Sequence, residues 1–147
     1  MLLKEVMTAH VEVVHPDATL GEAAEKMKKL DIGPLPVCDG ERLVGMITDR
    51  DITIRATAEG HGPKSTRVRD VMTEEVFFCF EDQDLQDAAE MMERAQIRRL
   101  VILNRAKRLV GIVSLGDLAV HTGPEELADE ELAEVLEEVS APAEPQR

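Results

Sequence analysis

The apolar positions of this chain follow one order of patterns, and that order comes round twice. Short β-branched or aromatic runs at 11–14 and 76–80 read as strands. Each is followed by apolar residues at helical spacing. These are Leu20, Ala23, Ala24, Met27 and Leu30 in the first round, and Leu85, Ala88, Ala89, Met92 and Ala95 in the second. One stripe of each helix therefore faces a core, and the alanines point to close packing against a sheet or a sister helix. Asp17 or Thr19 can cap the first helix, with Glu22 placed as in a capping box, and Asp84 and Asp87 take the matching places in the second. Two apolar runs, 34–38 and 43–48, are joined by Asp39-Gly40, a strong hairpin signal. In the second round the loop is Asn104-Arg105-Ala106-Lys107, without glycine. A helix over 49–59 ending near Gly60, and a counterpart over 114–120 ending near Gly123, complete each round.

Laid over itself, the sequence repeats at an offset of 65 and then of 66. Val6-Met7-Thr8 matches Val71-Met72-Thr73, Ala23-Ala24-Glu25 matches Ala88-Ala89-Glu90, and Leu43-Val44-Gly45 matches Leu109-Val110-Gly111. The change of offset falls in the hairpin loop, where a one-residue difference is tolerated. The chain is thus α/β (α+β), two tandem β-α-β-β-α units over 1–60 and 68–123 with a linker at 61–67. Residues 124–147 follow as an acidic amphipathic helix, Pro124 in its first turn and Leu127, Leu132, Val135, Leu136 and Val139 on its apolar face, with a frayed end.

Composition narrows the function. Of 147 residues 44% are apolar and 32% charged, a folded globular composition. No apolar run approaches the length of a membrane helix, and Met1 to Glu5 do not open a secretory signal, so a cytoplasmic location is expected, with no membrane partner. A net charge of −13 argues against nucleic acid. An anionic ligand must therefore find a local basic pocket. Cys38 and Cys79 read as reduced buried thiols, and His10, His15, His61 and His121 are dispersed. His10 and His15 with Cys38 have no ligand spacing that supports a metal. No nucleophile–base motif, glycine-rich phosphate loop or metal signature is present, so no enzyme, no catalytic residue and no obligatory cofactor are expected.

The Val-Met-Thr, Asp-Ala-Thr-Leu, Ile-Gly-Pro-Leu-Pro-Val and Leu-Val-Gly-Met-Ile-Thr-Asp-Arg-Asp-Ile segments resemble a CBS domain. The second copy, with Ile-Arg-Arg-Leu-Val-Ile and Leu-Val-Gly-Ile-Val-Ser-Leu-Gly-Asp-Leu, resembles another. The whole is similar to a stand-alone bacterial CBS pair, or Bateman module, over about residues 3–121. The resemblance implies pseudo-two-fold symmetry, two clefts between the repeats, a homodimer, and an adenine nucleotide (AMP, ADP or ATP) or a related adenosyl compound as regulatory ligand, whose bound state is signalled to a regulated protein partner. The alternative is a structural or dimerisation module with empty or degenerate clefts.

The residues suit that chemistry. Asp51 and Asp117 each lie three residues after a hydroxyl, Thr48 or Ser114, at a strand-to-helix junction. A carboxylate can accept both hydroxyls of a ribose diol, and junction amides with a hydroxyl favour phosphate. Capping alone would also explain each pair. Arg98 and Arg99, where the first copy has Gly33 and Pro34, can fork phosphate oxygens, and Arg50 can assist. By resemblance, Asp51 and Thr48 would work with Arg98 and Arg99, which makes the Asp51 site the tighter one for phosphorylated ligands. The adenine pocket would take Thr8, Val11, Ile32 and Pro36 with Thr73, Val76, Ile97 and Val101. With no Trp or Tyr and three Phe, aromatic stacking is excluded as the main contact.

Overall fold

The computed structural model describes residues 1–121, and the expected helix at 124–147 lies outside the described residues. The main elements are α1 (Leu20–Leu30), β1 (Pro34–Asp39), β2 (Arg42–Thr48), α2 (Asp49–Asp51), β3 (Phe78–Phe80), α3 (Leu85–Ala95), β4 (Arg99–Leu103), β5 (Leu109–Ser114) and α4 (Leu115–His121). A π-helical segment, Ile52–Thr57, continues α2.

These elements form two compact units that do not follow the repeat boundaries. One, called here the Asp51 unit, comprises Glu12–Val76 with Lys107–Leu109. The other, the Asp117 unit, comprises, among the described residues, Met1–Val11, Phe77–Ala106 and 110–121. Each Val-Met-Thr segment therefore packs in the unit built on the other copy's helix and hairpin. Thr8 exchanges backbone hydrogen bonds with Ile112 at 2.9 and 3.0 Å, and Thr73 does so with Met46 at 2.9 Å in both directions. Two glycines make this docking possible. A Cβ on Gly45 would stand 2.8 Å from Met72 Sδ and 2.9 Å from the Thr73 carbonyl, and one on Gly111 would overlap Met7 Sδ. The shared Leu-Val-Gly thus exists to seat the shared Met.

In the Asp51 unit β1 pairs antiparallel with β2, with a bulge after Val37. Asp39 pairs with Arg42, so the two-residue turn is Gly40-Glu41, one position later than the Asp-Gly signal suggests. Gly40 supplies the positive φ of 66° that such a turn needs. In the Asp117 unit the sheet order is β3-β4-β5, with β3 parallel to β4.

Helix caps follow the sequence closely. Thr19 caps α1 in a reciprocal box with Glu22, and Asp84 does the same for α3 with Asp87. Asp17, the other candidate cap, binds Arg69 instead. Both helices end in a left-handed residue, Asp31 and its repeat equivalent Gln96. The linker is ordered against α1, where the Thr66 and Pro63 carbonyls accept the Leu20 and Gly21 amides at 2.9 Å.

Several expectations need correction. Residues 11–14 form no strand; only Val14 bridges to Val37. The strand expected over 76–80 shortens to Phe78–Phe80. Ala24 and Leu30 are exposed, so α1 buries a narrower stripe than α3, in which Ala88 and Ala89 are both buried. The helix expected over 49–59 is one α-turn followed by π geometry. Its run Ile52-Thr53-Ile54 is β-branched, and Thr53 Oγ1 donates to the Asp49 carbonyl at 3.0 Å. Both features weaken and bend an α-helix.

Candidate ligand site

Each unit presents a hydroxyl and a carboxylate where a strand turns into a helix. At the end of β2 the Asp51 amide donates to Thr48 Oγ1 at 3.1 Å, and the Thr48 amide donates to Asp51 Oδ2 at 3.0 Å. At the end of β5 the Asp117 amide donates to Ser114 Oγ at 3.0 Å, and the Ser114 amide donates to Asp117 Oδ2 at 2.8 Å. The capping role is therefore real in both copies. It engages one carboxylate oxygen of each residue. Asp51 and Asp117 Oδ1 have no hydrogen-bond or ion-pair partner among the described residues. All four residues are half-buried.

The surroundings of the two junctions differ. The Asp49 amide donates to the Gly33 carbonyl at 3.0 Å, and the Leu115 amide donates to the Arg98 carbonyl at 2.8 Å. The position before the core strand thus lies against its own unit's junction, as glycine in one and arginine in the other. Asp49 is exposed, its carboxylate 3.1 to 3.3 Å from where a Gly33 Cβ would stand. Its counterpart Leu115 is buried. Arg50, Arg98 and Arg99 are exposed, and their side chains have no hydrogen-bond or ion-pair partner among the described residues.

The expected adenine-pocket residues divide between the units. Ile32, Pro36, Thr73 and Val76 belong to the Asp51 unit, and Thr8, Val11, Ile97 and Val101 to the Asp117 unit. Pro36 and Val101 are fully covered and can act only from beneath a surface. Val11, Ile32, Val76 and Ile97 are half-buried, and the two threonines are exposed. Sequence reasoning missed Arg55, whose Nη1 donates to the Val71 and Met72 carbonyls at 2.9 and 3.3 Å. It also missed what Gly45 and Gly111 are for, although both glycines stand at one repeat position.

Other titratable groups serve the scaffold. Arg69 beside Asp17 and Arg105 beside Asp82 hold these repeat-equivalent carboxyls below their usual range. Arg105 also covers the Phe80 ring at 4.2 Å. Burial pushes the Cys38 and Cys79 thiols up to about 11, which makes them poor nucleophiles at neutral pH. Among the described residues no three His, Cys, Asp or Glu side chains gather into a metal-binding group. No helix among them is long and apolar enough to cross a membrane.

The chain is 42% identical over 133 residues to the CBS domain-containing protein YhcV of Bacillus subtilis, covering 90% of this chain and 94% of that one. A crystal structure of Hypoxic Response Protein I with two coordinated zinc ions has a TM-score of 0.76 at 36% identity, over 83% of this chain and 99% of that one. CBSX2 in complex with AMP has a TM-score of 0.71 at 25% identity, over 81% and 93%. The CBS domain pair of protein MJ0100, in complex with 5′-methylthioadenosine and S-adenosyl-L-methionine, has a TM-score of 0.70 at 28% identity, over 82% and 94%. The family profile of the CBS domain matches twice, at residues 3–56 and 68–121, and the chain therefore belongs to the CBS domain family, with two copies in tandem.

Proposed function

We propose that the chain is a regulatory module, not an enzyme, which takes up an adenosyl compound at its two hydroxyl–carboxylate junctions. The observation that carries this reading is the half-committed carboxylate, present twice. Oδ2 of Asp51 and of Asp117 is held by the cap, and Oδ1 is left to accept from a ribose hydroxyl. The Thr48 and Ser114 hydroxyls accept an amide and keep their own proton to donate to a phosphate or ribose oxygen. Arg50, Arg98 and Arg99 are the cations for phosphate, and recruiting them breaks no ion pair among the described residues. Val11 and Ile97 in one unit, and Ile32 and Val76 in the other, are the apolar walls for the base, with Val101 and Pro36 acting from beneath and the exposed Thr8 and Thr73 adding hydroxyls. AMP in CBSX2, and 5′-methylthioadenosine and S-adenosylmethionine in the MJ0100 pair, support the ligand class. Regulation of a protein partner, and action as a homodimer, belong to the same reading.

Thermal unfolding with AMP, ADP, ATP, S-adenosylmethionine and NAD tests it. A ligand at 100 times its Kd stabilises the native state by about 2.7 kcal/mol and raises the melting temperature by several degrees. A melting temperature unmoved by all five at millimolar concentration overturns the reading in favour of a structural module.

A further inference from the structure

We propose that Arg55 is a positioning residue for the Thr48–Asp51 junction, fixing the strip that carries Met72 and Thr73 beside it, so that ligand affinity there depends on a side chain that does not itself touch the ligand. This inference rests on the adenosyl-binding reading above.

The strip Val68–Thr73 opens with a 3-10 turn, Val68–Asp70, whose following carbonyls have no partner within the turn. Its start is tied to residues 16–18, where the Val68 and Arg69 amides donate to the Ala18 and Pro16 carbonyls and the Arg69 side chain binds Asp17. Its end is held at three places that are close to the junction in sequence. Thr73 exchanges two backbone hydrogen bonds with Met46, two residues before Thr48. The Met72 side chain lies on Gly45, three residues before Thr48. Arg55, four residues after Asp51, donates to the Val71 and Met72 carbonyls. The strip is thus tied to the strand that enters the junction and to the helix that leaves it.

The π geometry makes the third tie possible. A π-turn closes its hydrogen bond one residue later than an α-turn, as in the 2.9 Å bond from the Ala58 amide to the Thr53 carbonyl. Residues beyond Asp51 therefore come round at a different azimuth, and Arg55 comes to lie over the end of the 3-10 turn. A guanidinium suits this place, because it can serve two carbonyls at once and its charge complements the negative end of a turn. In the second repeat the equivalent position is His121, and α4 is ordinary α-helix from Leu115 to His121. The clamp is therefore not a fixed part of the repeat.

The test compares Arg55→Gln, Arg55→Lys and Asp51→Ala with the unaltered chain. AMP and S-adenosylmethionine are titrated well below the melting temperature, and binding is followed at the Thr48 and Asp51 amides by NMR so that this junction is read separately from the other. Loss of a charged hydrogen bond at the strip is expected to raise Kd about tenfold in Arg55→Gln. Arg55→Lys, with the charge but not the fork, is expected to fall between the two. The Met46 and Thr73 amides should exchange faster in Arg55→Gln, and ligand should slow them most in the unaltered chain. A purely structural Arg55 would lower the melting temperature and leave Kd untouched. Unchanged Kd in Arg55→Gln, alongside binding lost in Asp51→Ala, overturns this inference alone. No binding of either probe to the unaltered chain overturns the functional reading and this inference with it. If Arg55→Gln does not fold, Arg55→Lys decides, and a Kd equal to that of the unaltered chain overturns the proposal.

Discussion

The two junctions share a cap and little else. In the Asp117 unit the helix after the cap is anchored by Leu115 and Leu118, both buried among Leu3, Leu85, Met92 and Leu100. In the Asp51 unit the equivalent places hold exposed Asp49 and half-buried Ile52, and the segment beyond buries only Ala56. One junction is pinned by leucines from below. The other has an acidic first turn, a π continuation, and an arginine that reaches to a neighbouring strip. The difference shows that the cap and the ligand groups are one device, kept in both copies, while the support beneath is free to diverge. The cations diverge too. Arg50 stands beside Asp51 where Gly116 stands beside Asp117, and Arg98 and Arg99 stand where the first copy has Gly33 and Pro34.

The largest expected effect of that difference is on binding. If the cations matter more than the caps, Asp51→Ala and Asp117→Ala should not weaken a phosphorylated ligand equally in isothermal titration. Asp51→Ala removes acceptors for a ribose diol beside Arg50, and each lost charged hydrogen bond is worth about tenfold or more in Kd. AMP should be weakened unequally by the two variants, because Arg50 flanks Asp51 in sequence while Arg98 lies against the Asp117 junction through the Leu115 amide, with the inequality narrowing for 5′-methylthioadenosine, which has no phosphate. Equal losses for both ligands in both variants would remove the asymmetry.

A second contrast concerns the seats of the two methionines. Gly45→Ala and Gly111→Ala each push a methyl group into a methionine and a neighbouring backbone carbonyl. Overpacking of this kind costs about 1–3 kcal/mol. The methionine can swing aside but the carbonyl cannot, because Thr73 and Thr8 are both held by paired backbone hydrogen bonds. Chemical denaturation should therefore show both variants destabilised, with little recovery when Met72→Ala is added to Gly45→Ala. Full recovery would mean that the thioether alone sets the fit.

How much of this could be read from the chain depends on the range of the interaction. Local signals were legible, including the Thr19–Glu22 box, the Asp84–Asp87 box, the hairpin and both hydroxyl–carboxylate pairs, because caps and turns are decided within four residues. The resemblance also gave the family. What stayed hidden was decided by partners far along the chain. The stripe with Ala24 and Leu30 has the same periodicity as that with Ala89, yet only α3 has those positions covered. Residues 11–14 have strand composition but no ladder beyond a single bridge. The exchange of Val-Met-Thr segments left one trace, the recurring glycine of Leu-Val-Gly, and a repeat alignment alone does not say which copy's methionine fills which copy's gap. The π segment had a local trace as well, the β-branched run after Asp51, outweighed by its otherwise helical pattern.

The smallest effect separates the caps themselves. Removing a hydroxyl N-cap costs about 1 kcal/mol when the helix behind it depends on that first turn. Ser114 caps a helix whose first residue, Leu115, is buried, so fraying at this end also loosens core packing. Thr48 caps a turn whose first residues, Asp49 and Arg50, are exposed. Fraying there uncovers little apolar surface, and the π segment behind it is held separately through Arg55. Ser114→Ala should therefore lower the denaturation midpoint by the full cap value and Thr48→Ala by less, both with the slope against denaturant unchanged. If Thr48→Ala costs as much as Ser114→Ala or more, the first-copy junction is not the more loosely anchored of the two. Its π geometry would then have to be regarded as rigidly held.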